Sequence, residues 1–325
     1  MKSRIISTGY YLPQKVLTNS DLEQMVDTTD KWIKQRTGIY ERRIAEQDEA
    51  SSDMGSRAAE MALKRGNIDP KEVDAVICAT ITPDHFFPST AALIQKDLGL
   101  SNAFALDVSA ACSGFVYALA LADSLIKSGG ASTIVVVATE KMSTITDWTD
   151  RSTCILFGDG AGAAILRPTD ENRGILSSHM MADGNMGDLL IVPAGGSRIP
   201  ASTESVKQKS HFIKMSGNEV FKVAVRKMIE SSHIVMKEAG LATSDIRLLI
   251  PHQANLRIID AISKRMRLEK DQVYVNLDRT GNTSAASIAI SLADADEKKI
   301  IQKNDNIILA SFGGGFTWAG MALKW

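Results

Sequence analysis

A cysteine, a histidine and an asparagine carry most of the reactive potential of this sequence, each where an apolar run gives way to a turn or helix. Cys112 follows the apolar run 103–108 and opens a helical pattern at Ser113-Gly114-Phe115. A thiol at a helix N-terminus faces unpaired backbone N–H groups and the positive end of the helix dipole, and both favour the nucleophilic thiolate. His252 lies in Pro251-His252-Gln253-Ala254-Asn255, just past the run 246–250. Asn282 lies in Gly281-Asn282-Thr283-Ser284-Ala285-Ala286-Ser287, at another strand-to-helix corner. One nucleophile with two proton or hydrogen-bond partners at element ends reads as a site for covalent catalysis. Singly, each residue has a plainer reading. A free cysteine usually fills core, which is the reading for Cys78 and Cys154. An Asn after Gly is ordinarily a turn. Three such residues at matching strand ends favour the chemical reading.

Their positions require a repeated α/β scaffold. Strand-like runs occur at 73–79, 103–108, 133–138 and 162–167, and again at 246–250, 273–276, 306–310 and 318–323. The first three pairs of runs begin 173, 170 and 173 residues apart, as expected for two copies of one β-α-β-α-β unit. This predicts an N-terminal half over 1–172 and a C-terminal half over 173–325. Cys112 and Asn282, 170 residues apart, then sit at equivalent corners. In open α/β sheets, ligands bind outside the carboxyl ends of strands, so two halves packed about a pseudo-twofold axis would bring Cys112, His252 and Asn282 together. The helix after Cys112 has almost no polar face and is expected to be buried all round, back to back with its counterpart at 284–295. The segment 193–210 reads as an irregular surface excursion.

The composition is that of an ordinary globular enzyme, with 44% hydrophobic and 23% charged residues in a chain of 325. A formal net charge of −1 argues against bulk attraction to nucleic acid or an anionic membrane. Three widely spaced cysteines make a disulfide framework improbable and point to a reducing compartment. The short apolar run at the N-terminus does not fit a signal peptide, and no stretch reaches the length of a membrane span, so the expected location is cytoplasmic. Two other enzyme classes fit poorly. A papain-like peptidase shares the Cys, His, Asn order but needs a cysteine signature that is missing here. Gly158-x-Gly160-x-Gly162 precedes a strand instead of joining strand to helix, so the dinucleotide fingerprint fails.

Read together, the motifs resemble the thiolase superfamily, and within it the β-ketoacyl-[acyl-carrier-protein] synthase III family. The resemblance runs nearly end to end. It includes Ser7-Thr8-Gly9, Arg36-Thr37-Gly38-Ile39, Phe87-Pro88-Ser89-Thr90, Ala111-Cys112-Ser113-Gly114, Gly158-Asp159-Gly160-Ala161-Gly162, the two segments around His252 and Asn282, and Phe312-Gly313-Gly314-Gly315-Phe316-Thr317-Trp318. It implies a thiolase-like fold, with the two halves in a five-layered αβαβα stack. It also implies a decarboxylating Claisen condensation of a short acyl-coenzyme A primer, such as acetyl-coenzyme A, with malonyl-acyl carrier protein, giving 3-oxoacyl-carrier protein, coenzyme A and CO2. The alternative is a related Cys-His-Asn condensing enzyme of polyketide or quinolone type. Both substrates are bound transiently, and no cofactor or metal is expected.

The resemblance also implies roles residue by residue. Cys112 takes the acyl group as a thioester. His252 and Asn282 hold the malonyl thioester carbonyl as it becomes an enolate. The N–H groups of Cys112 and Gly314 form the oxyanion hole for the acyl carbonyl, and Phe312 gives the departing carboxylate an apolar wall. Thr28, Trp32, Arg36, Arg151, Gly217, Asn218, Ala254 and Asn255 would contact coenzyme A, with an adenine ring between Trp32 and Arg151. Phe87 from the partner subunit of a homodimer would close the acyl pocket. For the acyl carrier protein, Lys214, Gln253, Arg257, Lys264 and Arg265 form the implied docking face. An independent argument supports it: on a helical wheel over 255–268, Ile259, Ile262 and Met266 form a buried stripe and the basic residues face outward, suited to an acidic partner.

Overall fold

A strand such as 134–140, buried at every residue, needs a sheet covered on both faces. The sequence supplies that cover by alternating such strands with amphipathic or wholly apolar helices. In the computed structural model, which describes residues 2–325, the long strands are β1 (Lys2–Tyr11), β2 (Ala75–Ala79), β3 (Phe104–Val108), β4 (Ile134–Glu140), β5 (Gly160–Thr169), β6 (Gly174–Ala182), β7 (Ile246–Pro251), β8 (Asn306–Gly313) and β9 (Thr317–Lys324). The helices that matter to the site are α1 (Asp30–Thr37), α2 (Ser51–Gly66), α3 (Thr90–Asp97), α4 (Gly114–Lys127), α5 (Gly217–Glu238), α6 (Leu256–Met266) and α7 (Ala286–Glu297).

The strands form two sheets of matching topology, β1-β5-β4-β2-β3 and β6-β9-β8-β7. In both, a parallel pair (β2 with β4, β7 with β8) is followed by two antiparallel pairings. The chain leaves the first sheet at Thr169 and enters the second at Gly174. α4 and α7 fill the space between the sheets, where Phe115, Val116, Leu119, Ile126, Ile288 and Leu292 are buried with side chains from both. α2 and α3 cover the outer face of the first sheet, and α5 and α6 that of the second. This is the five-layered αβαβα stack expected above. Each fully buried Leu, Ile or Phe in the middle layer contributes roughly 1.5–3 kcal/mol of transfer free energy. Gly114 opens α4 at the tightest point: a Cβ there would lie 2.9 Å from Ala79 Cβ and 3.3 Å from Ala285 Cβ.

Several expectations need correction. The run 273–276 is not a strand; only Val273 bridges to Leu249. The Gln253 side chain competes for the ladder groups of this run, donating to Tyr274 O (3.1 Å) and accepting from Asn276 N–H (3.1 Å), and a short helix follows at Leu277–Thr280. α4 is not buried all round, since Leu121 is exposed. The segment 193–210 is not wholly irregular: it holds a helix, Thr203–Lys207, and hangs from a two-stranded ribbon, Leu190–Ile191 with Lys214–Met215. The repeat offset also shifts at the corner that matters. α4 and α7 begin 172 residues apart, so the counterpart of Cys112 is Ser284 and not Asn282.

Candidate active site

Cys112, His252 and Asn282 converge on one cavity of about 770 Å³ at the seam of the two halves. Cys112 sits in a single 3-10 turn, Ala111–Ser113, immediately before α4. Ala111 holds a left-handed backbone (φ 45°), an uncommon conformation for a residue with a side chain. It turns the sulfur away from the strand direction and into the cavity wall. His252 follows β7, with its N–H on Ala310 O of β8 (2.8 Å). Asn282 is pinned between the halves: its N–H donates to Leu156 O (2.8 Å) and its carbonyl accepts from Gly158 N–H (3.1 Å).

The side chains are oriented by neighbours whose roles the sequence reading did not assign. Ser284 N–H donates to Asn282 Oδ1 (2.9 Å), which fixes the amide and leaves its NH2 for the cavity. His252 Nδ1 lies 2.6 Å from Ser287 Oγ, and Gln253 N–H donates to the same oxygen (3.4 Å). Ser287 Oγ–H has no other acceptor among the described residues, so the hydroxyl is assigned as donor to Nδ1, which places the ring proton on Nε2. Burial pushes the His252 imidazolium pKa down to about 3, so the ring is neutral. The result is two uncharged N–H donors, one from each residue. Both serines stood inside the quoted 281–287 motif, two and five residues after Asn282, but nothing in the spacing ties Ser287 to His252, 35 residues earlier.

The sulfur departs from expectation. Burial pushes the Cys112 thiol up to about 12, and the nearby Glu140 carboxylate adds to the rise. An ordinary thiol pKa of 9.0 makes that roughly 4 kcal/mol against the thiolate. A helix N-terminus supplies at most about 2 kcal/mol, so desolvation wins and the resting residue is a thiol. Its S–H donates to Ser284 Oγ at 3.6 Å.

Phe312 to Gly315 line the cavity beside the sulfur. Phe312 is buried against Phe316, ring centroids 4.8 Å apart. Gly313 approaches so closely that a Cβ would lie 2.5 Å from Cys112 N. Neither Cys112 N–H nor Gly314 N–H is taken by a backbone carbonyl of another residue.

Of the residues expected to contact coenzyme A, Trp32, Arg36, Gly217, Ala254 and Asn255 line the cavity. Thr28, Arg151 and Asn218 do not. The Arg151 guanidinium stacks on Trp32, 5.0 Å from the ring centroid, and its Nη1 donates to Asp27 O (2.7 Å). A ring can enter between them only if Arg151 moves aside. Both ends of the Asn255 amide are already used, Oδ1 as the N-cap of α6 and Nδ2 on Arg36 O. Among the basic residues, Lys214, Arg257, Lys264 and Arg265 are exposed, but Gln253 is fully buried. Its amide is spent on backbone groups, so it cannot meet a docking partner. Phe87 is 86% exposed and lies outside its own cavity, in a groove with Pro83, Asp84 and His85. Among the described residues, no group of three or more His, Cys, Asp or Glu could hold a metal ion, and no helix is long and apolar enough to cross a membrane.

Comparison with known proteins gives one consistent picture. The family models "3-Oxoacyl-[acyl-carrier-protein (ACP)] synthase III" and its C-terminal counterpart match residues 106–184 and 236–325. A β-ketoacyl-[acyl-carrier-protein] synthase III of Caldanaerobacter subterraneus subsp. tengcongensis is 51% identical over 99% of this chain and 97% of its own. The crystal structure of 3-oxoacyl-[acyl-carrier-protein] synthase III from Aquifex aeolicus superposes with a TM-score of 0.92 at 46% identity, covering 99% of this chain and 100% of that one. The priming β-ketosynthase of the R1128 polyketide pathway gives a TM-score of 0.92 at 36% identity, over 99% of this chain and 96% of that one.

Proposed function

The chain belongs to the β-ketoacyl-[acyl-carrier-protein] synthase III family, and from that premise we propose how its own residues carry the reaction. The enzyme is an acyltransferase that condenses an acyl-coenzyme A primer with malonyl-acyl carrier protein and so initiates fatty-acid synthesis. Cys112 attacks the primer thioester. The Sγ–C bond forms, the C–S bond to coenzyme A breaks, and coenzyme A leaves. The malonyl thioester then enters with its carbonyl oxygen between His252 Nε2 and Asn282 Nδ2. Loss of CO2 places negative charge on that oxygen, and the two fixed donors stabilise it where it develops, at about 3 kcal/mol each. The enolate carbon attacks the acyl-Cys112 carbonyl. The N–H groups of Cys112 and Gly314 receive the second oxyanion, and collapse releases 3-oxoacyl-carrier protein and the free cysteine.

The observation that carries this reading is the pair of anchored, uncharged donors facing the same cavity as the sulfur. A neutral imidazole suits the task, because its Nε2–H is too weak an acid to be given up to the enolate and so remains a hydrogen-bond donor as the charge develops. Phe312 supports decarboxylation by walling the carboxylate from water. Trp32, Arg36, Gly217, Ala254 and Asn255 form the coenzyme arm of the cavity, with Thr28, Arg151 and Asn218 at its outer rim. Lys214, Arg257, Lys264 and Arg265 present positive charge to an acidic carrier protein. The exposed Phe87 and the unpaired edge strand β3 support a homodimer in which Phe87 closes the partner's acyl pocket. The halves 1–172 and 173–325 are read as duplicated units.

The test separates the half-reactions. His252→Ala is expected to retain acyl transfer to Cys112 and to lose malonyl decarboxylation by 10²–10³-fold, as for removal of one oxyanion donor. Intact mass reports the first and CO2 release the second. A variant unable to form the acyl adduct would make His252 the obligatory base and overturn this division of labour.

A further inference from the structure

A thiol that rests protonated must hand its proton to something, and the cavity offers one directed route. Cys112 S–H donates to Ser284 Oγ (3.6 Å), whose hydroxyl donates to Glu140 Oε1 (3.0 Å). We propose that Glu140 receives the Cys112 proton through Ser284 during acyl transfer and returns it when the condensation product leaves. The proposal rests on Cys112 being the acyl acceptor.

Three observations support it. Glu140, the last residue of β4, is completely buried, and among the described residues no cation lies within salt-bridge distance of it. A buried carboxylate with no counter-ion is costly, and this one is held by hydrogen bonds alone. Thr82 Oγ1 (2.7 Å), Ile81 N–H (3.1 Å) and Thr80 Oγ1 (3.3 Å) donate to Oε2, and Ala285 N–H (3.4 Å) joins Ser284 at Oε1. Second, Ser284 occupies a left-handed backbone (φ 48°), a conformation a side-chain residue holds only when its surroundings demand it. That conformation puts its hydroxyl between sulfur and carboxylate while its N–H fixes Asn282. Third, the other basic group at the cavity is a poor acceptor: His252 is neutral with its basicity suppressed by burial, and its Nδ1 is engaged by Ser287. Burial raises the Glu140 carboxyl to about 7, where it is substantially ionised at neutral pH yet able to hold a proton.

The charge balance favours this route. Losing the thiol proton to solvent would leave thiolate and carboxylate as two like charges in a buried site. Passing it to Glu140 moves one negative charge from oxygen to sulfur and creates no second one. In the forward step the S–H bond breaks as the Sγ–acyl bond forms. Ser284 takes that proton and gives its own to Glu140, and coenzyme A leaves as a thiolate that is protonated by solvent. In condensation the Sγ–acyl bond breaks as the new C–C bond forms, and the proton returns along the same path. Nothing is oxidised or reduced. The titratable group facing Glu140 is Cys112; the buried Cys78 of β2 feels the carboxylate's charge but packs on the other face of the sheet. Lys141, next in the chain, turns away to the carbonyls of Glu46, Gln47 and Glu49.

Rapid-quench intact-mass measurement of acylation by a short acyl-coenzyme A, between about pH 5.5 and 9, tests the relay in the full-length enzyme. Wild type, Glu140→Gln, Glu140→Asp and Ser284→Gly are compared, with malonyl decarboxylation and melting temperature measured alongside. Glycine accepts the left-handed backbone at 284 without strain and keeps the N–H for Asn282. Wild-type acylation is expected to fall on the acid side of neutrality as Glu140 takes up a proton, and to level off above it. Glu140→Gln and Ser284→Gly should acylate about 10²-fold more slowly and lose that acid limb. Glu140→Asp should recover part of the rate, and decarboxylation should fall far less than acylation in every variant. Either relay variant acylating within about threefold of wild type, or keeping the wild-type pH profile, would overturn the proposal and leave the nucleophile assignment standing. Absence of any adduct on wild-type Cys112 would overturn the nucleophile assignment first and this inference with it.

Discussion

Gly313→Ala is the sharpest test of how tightly the nucleophile is seated. The added Cβ would lie 2.5 Å from Cys112 N and 3.1 Å from both Ala111 Cβ and Cys112 Cβ, against ordinary contacts of 3.4 Å or more. Gly313 is not left-handed, so alanine meets a contact penalty and no conformational one. Relief requires a movement of about 0.9 Å, and little nearby can give. Ala111 is held in its left-handed turn. Thr317, paired with Gly313 across the β8–β9 hairpin, donates its hydroxyl to Ala110 O at 2.8 Å. Overpacking of this kind costs about 1–3 kcal/mol of stability. The functional loss should be larger, because the N–H groups of Cys112 and Gly314 flank the new methyl and would be pushed apart. A displacement near 1 Å at a catalytic centre costs on the order of 10²-fold in rate. Acylation and full condensation should therefore both fall about 10²-fold, with melting lowered by only a few degrees. Both rates within threefold of wild type would refute the reasoning, since the cavity wall would then be far more yielding than its contacts imply.

Two further predictions follow from charge and burial. Arg265, exposed on α6 and outside the cavity lining, should act only on the carrier protein: Arg265→Glu is expected to raise KM for malonyl-carrier protein about fivefold and to weaken its salt dependence. An equal rise in KM for acyl-coenzyme A would instead place the residue at the shared mouth. His252, whose imidazolium pKa burial lowers from 6.5 to about 3, contributes stability that is fully present above about pH 6.5 and is lost as pH falls toward 3, up to roughly 5 kcal/mol. Urea midpoints for wild type should therefore drop more steeply over that window than those of His252→Gln; parallel curves would mean that the imidazole is not buried in neutral form.

The apolar runs fixed the alternation of strands and helices, because residues such as 134–140 have no stable exposed face. The near-constant spacing between runs likewise pointed to a duplication, and the types of Cys112, His252 and Asn282 pointed to covalent catalysis. Tertiary structure decided the rest. Gln253 was a docking residue by resemblance and proved to be a buried brace for Tyr274 and Asn276. Whether a polar side chain meets solvent or backbone depends on a neighbour 21 residues away in sequence. The protonation state of Cys112 turns on a contest between helix dipole and desolvation, and the burial that raises its pKa exists only in the folded chain. Glu140 left a faint mark in sequence, an acid closing an otherwise apolar strand. Its connection to the sulfur runs through Ser284, 144 residues further along the chain. Sequence periodicity reports which faces are buried; it carries no record of which residue of one half will touch which residue of the other.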